Sequence, residues 1–123
     1  MKQIRTFLAI EAIAFGAAAL VHAGRLTGGY QHREAAIAES VIAGVLTLVL
    51  VVSVTSPRSG RAAGLAVQGF ALLGTLVGIV TIVIGIGPQS SFDVALHAGF
   101  VALLITGLIV AARFRTQPDT HNI

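Results

Sequence analysis

The stretch HREAAIAESVIAG, His32 to Gly44, decides how this chain is read. Arg33 and Glu34 form a polar rim, and from Val41 the sequence runs almost wholly apolar to Val54. That is the pattern of a helix entering lipid. Glu39 breaks it from inside the run. A charged side chain facing lipid costs about 2.5–3.5 kcal/mol at the centre of such a helix, so a carboxylate there is expected to face inward and to have partners on other helices.

The composition supports a membrane reading. Of 123 residues, 55% are hydrophobic and 11% charged, and the mean hydropathy is +0.90. A soluble domain carries about 25% charged residues. The chain lacks cysteine, which excludes disulfides, thiolate metal sites and thiol chemistry. The net charge is +3, yet the basic residues stand singly or in pairs at the ends of apolar runs. That pattern sets orientation in a membrane and makes no nucleic-acid patch.

A spanning helix needs about 20 mostly apolar residues. Four segments qualify, at 4–24, 34–54, 62–86 and 92–112, followed by a polar tail at 113–123. The connections RLTGGYQHR, TSPRSGR and GPQSS carry the expected Gly and Pro breakers. Lys2 and Arg5 ahead of an apolar run, with Val21-His22-Ala23 after it, imitate a secretory signal. Glu11 interrupts the would-be apolar core, so a retained first helix is expected. The chain is thus read as one all-α integral membrane domain, a four-transmembrane-helix up-down bundle. With the N-terminus inside, Lys2, Arg5, Arg58, Arg61, Arg113 and Arg115 are cytoplasmic and only Arg25 and Arg33 lie outside. This positive-inside bias puts both termini in the cytoplasm and the protein in the inner membrane as a multi-pass chain.

Depth along each helix sorts the buried polar residues. His22, Glu39 and His97 come from three helices but share the outer layer, with Asp93 at the mouth of helix four. Glu11 and Gln68 share a layer roughly 10 Å from the inner surface, at 1.5 Å of rise per residue. Two imidazoles and a carboxylate suit a divalent metal, with Asp93 or Glu11 as further ligand or support. His22 and His97 also suit the axial positions of a haem. A third reading is a protonatable network with Glu11 and Gln68 as a relay, and the plainest is interhelical hydrogen bonding. Tyr30, His32 and Arg33 fall in the outer loop, where they either meet a partner or the mouth of the outer site, or, as a tyrosine there usually does, anchor the interface. Gly74 and Gly78 form G-x-x-x-G, either a seam for a second copy or close packing within the bundle.

These features lead to a non-enzymatic membrane protein whose outer-layer His/Glu site binds a metal ion, a proton or a small ligand. Its surroundings are the lipid bilayer and, as alternatives, a homo-oligomer or a larger complex. The rival roles are a structural subunit of such a complex and a metal- or haem-dependent redox enzyme.

Overall fold

The computed structural model describes residues 1–28 and 30–114. It contains four helices, α1 (Lys2–His22), α2 (Arg33–Thr55), α3 (Pro57–Val83) and α4 (Ser91–Arg113). All four are long and apolar enough to cross a membrane. Arg115 and the rest of the tail expected after helix four lie outside the described residues.

The helix ends show where local chemistry shifts the boundaries. The segment TSPRSGR was expected to be a loop, with helix three starting at 62. Instead α3 starts at Pro57, and Ser56 alone joins it to α2. Proline is at home in the first helical turn, where its missing N–H has no intrahelical partner to lose. The far ends of α1 and α3 fall short of the expected 24 and 86 because glycine closes both. Gly24 and Gly85 have φ of 73° and 84°. Around them Arg25 N–H reaches Leu20 O and Ile86 N–H reaches Thr81 O, the six-to-one bond of a Schellman motif. At α4 the sequence Ser90-Ser91-Phe92-Asp93 forms a capping box, in which Asp93 N–H donates to Ser90 Oγ and Ser90 N–H donates to Asp93 Oδ2.

Successive helices run antiparallel, and α1 also packs against α4. At the end of the bundle that holds the N-terminus, arginines serve neighbouring helices. Arg5 Nη2 donates to Ser53 O near the end of α2, and Arg61 donates to Ala111 O and Ala112 O in the last turn of α4. Cations are favourable where a helix leaves unpaired carbonyls. The opposite end holds the α1–α2 and α3–α4 loops.

Ile4, Leu8, Phe15, Leu46, Ala71 and Leu104 fill the core. Large apolar side chains also cover the outside, with Ile13 72%, Leu48 61% and Leu73 63% exposed. The polar residues go inward: Glu11, His22, Gln68 and Asp93 are all fully buried. Gly74 and Gly78 are used within the bundle. A Cβ on Gly74 would lie 3.1 Å from Ile42 Cδ1 of α2, and one on Gly78 would lie 2.9 Å from His97 Nε2 of α4.

Candidate functional site

His22 is the last residue of α1, and its ring lies between two carboxylates from two other helices. Nδ1 is 2.6 Å from Glu39 Oε2 on α2, and Nε2 is 2.8 Å from Asp93 Oδ1 on α4. The backbone helps to place the ring, because His32 N–H donates to His22 O and folds the α1–α2 loop back over the helix end. Asp93 Oδ2 is in turn held by three donors, the hydroxyls of Tyr30 and Ser90 and the Ser90 N–H. The capping box therefore fixes the carboxylate that orients His22.

Proton counting sets the charge of this triad. A ring nitrogen 2.6–2.8 Å from a carboxylate oxygen needs one proton between them. Two protons are thus shared by Glu39, His22 and Asp93. Their net charge is −1 whether the ring is imidazolium between two carboxylates or neutral beside one carboxylic acid. Among the described residues no Lys or Arg lies within ion-pair distance of the triad.

One atom of the triad is unsatisfied. Glu39 is only 5% exposed, and its Oε1 has no hydrogen-bond partner among the described residues. Buried polar atoms are ordinarily paired. Glu39 lines a cavity of about 240 Å³ between α2, α3 and α4, together with His97, Thr75, Gly78, Phe15 and Phe100. Phe15 and Phe100 stack with ring centroids 4.1 Å apart. His97 Nδ1–H donates to Asp93 O, and its Nε2 faces the cavity side of the ring. At the rim stand His32 and Glu34, 3.7 Å apart.

Comparison with protein-family models, curated proteins and solved structures finds no match.

The structure regroups the polar residues placed in one layer by depth. His22 and Glu39 meet directly, but the third member is Asp93, and His97 hydrogen-bonds only to its own helix. Both nitrogens of His22 are occupied, so neither the His22–Glu39–His97 metal set nor the His22/His97 haem pair is assembled. Among the described residues no three His, Asp or Glu side chains are arranged to hold a metal ion. The inner layer is separate: Gln68 Nε2 donates to both oxygens of Glu11, at 2.9 and 3.1 Å. Tyr30, for which the alternatives were an interface anchor and the mouth of the outer site, donates its hydroxyl to Asp93. Burial in the loop and the bond to the Asp93 carboxylate both push its phenol above the usual value of 10. His32 caps α2, where its Nδ1 accepts from Ala35 N–H. The S-x-x-D box was the available sequence signal for Ser90 and Asp93. The outer-loop position put Tyr30 near the mouth of the site, but nothing local named its partner, 63 residues away.

Proposed function

We propose that the chain is a multi-pass protein of the inner membrane, with both termini cytoplasmic and the two-loop end outside. Its role is to bind a small ligand in the α2–α3–α4 cavity, with Glu39 exchanging a proton as part of binding. The apolar exterior and buried carboxylates support insertion, since lipid tolerates the first and charged groups must turn from it. The basic residues at the arginine-capped end support the orientation.

The observation that carries the functional reading is Glu39 Oε1. A carboxylate wanted only for packing would have both oxygens paired. Here one oxygen is fastened to His22 and the other is left free beside a cavity. The triad holds Glu39 in place from behind and can pass a proton between Glu39 and His22 without moving a backbone. The cavity is apolar except for a few convergent polar groups, which is the usual make-up of a ligand site.

The test is infrared difference spectroscopy on protein in lipid vesicles, stepping pH and following the carboxylic acid C=O band. The expected result is one carboxyl group that gains and loses a proton, with a band absent in Glu39→Gln and displaced in His22→Asn. A spectrum unchanged by Glu39→Gln would overturn the reading.

A further inference from the structure

We propose that the ligand of this cavity is a small organic cation, an alkyl or aryl ammonium with N–H donors, which competes with the proton for Glu39. This rests on the cavity being a ligand site, and it names the ligand's chemistry from four features.

Charge comes first. The triad carries −1, is buried, and has no Lys or Arg partner among the described residues. A buried charge calls for a counter-charge. One proton on Glu39 Oε1 makes the triad neutral, and so does one ammonium group hydrogen-bonded there. The two cannot occupy the same oxygen together.

Donor and acceptor count comes second. Thr75 and Thr81 line the cavity, but their hydroxyls donate to Ala71 O and Gly78 O. His97 spends its Nδ1–H on Asp93 O. What remains for a ligand is chiefly acceptors: Glu39 Oε1 and the threonine oxygens, joined by His97 Nε2 when that ring carries a single proton. An anion or a pure acceptor finds little to bind, whereas an ammonium finds several partners. Third, the Phe15–Phe100 pair supplies aromatic surface to a site built for positive charge. Fourth, about 240 Å³ lies below the roughly 300 Å³ at which drug-sized pockets begin, so the cation is small.

Every titratable group near Glu39 enters the pH dependence. These are His22 of α1, Tyr30 and His32 of the first loop, Glu34 of its own helix, and Asp93 and His97 of α4. The α3 wall contributes only Gly74, Thr75, Val77, Gly78 and Thr81. On binding, the ligand N–H donates to Glu39 Oε1 and a proton held there leaves to water. The Glu39 O–H bond breaks, its electron pair stays on the carboxylate, and no other covalent bond changes.

The experiment is isothermal titration calorimetry on the full chain in lipid nanodiscs. The probe is phenethylammonium, and 2-phenylethanol is its neutral counterpart on the same carbon frame. The expected result is saturable binding of phenethylammonium at one site per chain, with about one proton released where Glu39 is protonated. Over that range affinity falls about tenfold for each unit of lowered pH, the response to one linked proton. Glu39→Gln abolishes it, and 2-phenylethanol does not compete. Equal binding of 2-phenylethanol, or ammonium binding unaffected by Glu39→Gln, overturns the cation and leaves a cavity for neutral ligands. Absence of binding by either probe also overturns it. The Glu39 infrared band then decides separately whether the proton-exchanging site stands.

Discussion

Gly107→Ala is expected to destabilise the bundle far more than the same change at helical glycines with open space around them. A Cβ on Gly107 would run into Glu11 Oε1 and Gln68 Nε2 and would lie 3.2 Å from Phe7 Cδ1. The two polar atoms belong to a hydrogen-bonded pair that is fully buried between α1 and α3, so neither can swing into solvent. Overpacking a tight core costs typically 1–3 kcal/mol. Hydrogen bonds between membrane helices are worth about 0.6 kcal/mol and at most about 1.7. Displacing the pair as well brings the expected loss to about 2–4 kcal/mol. Gly16, Gly69 and Gly99 are the internal controls. A Cβ on any of them meets nothing within 4 Å, and alanine is the better helix former by up to about 1 kcal/mol. The assay is unfolding in mild detergent followed by helical circular dichroism, all four variants beside the parent chain. Gly107→Ala should melt well below the rest, and adding Gln68→Ala should return part of the loss, because the two sites touch. A Gly107→Ala protein as stable as Gly99→Ala would refute the inner-layer geometry.

Four further outcomes follow from the same structure. The chain has one tyrosine and no tryptophan, so alkaline ultraviolet titration reads Tyr30 alone. It should ionise above 10 and move back toward 10 in Asp93→Asn. Because the folded state holds this proton more tightly than the unfolded one, stability should fall as pH rises past 10. Arg61→Ala removes the donor to Ala111 O and Ala112 O and should cost roughly 0.5–2 kcal/mol, seen as faster amide exchange in the last turn of α4. Gly78→Ala pushes on His97 Nε2, 2.9 Å from the added Cβ, and should weaken phenethylammonium binding in calorimetry more than Gly74→Ala, which meets Ile42. Since the chain has no native cysteine, single cysteines at Gln31 and Ser59 report sidedness. An impermeant maleimide should label Gln31→Cys on intact cells, and Ser59→Cys only after the membrane is opened.

Much of this architecture was legible from residue type and depth. Glu39 inside an apolar run demanded a partner, and matching depths from the helix ends put His22 beside it. The same arithmetic paired Glu11 with Gln68. It also covered Gly107, which stands six residues before Arg113 as Gln68 stands six residues after Ala62, but a glycine makes no demand and so drew no notice. One error had a local cause: Pro57 was read as a breaker when it starts a helix. The exchange of His97 for Asp93 as the ring's partner lay beyond spacing. Both share a face of α4, and which one meets His22 depends on rotation of that helix against α1. The cavity was also out of reach, because it exists only where three helices fail to close.

In the proposed function Glu39 is fastened to His22 through one oxygen and open to exchange through the other. Solid-state NMR of the protein in lipid bilayers, with ¹⁵N-labelled histidine and ¹³C-labelled glutamate and aspartate carboxyl groups, measures both halves at once. The two His22 ring nitrogens are expected to lie within contact of two different carboxyl carbons, from Glu39 and Asp93. Of those two, the Glu39 carbon alone is expected to titrate when the pH is stepped or phenethylammonium is added. A His22 ring in contact with neither carboxyl, or a Glu39 carbon that responds to neither perturbation, would contradict it.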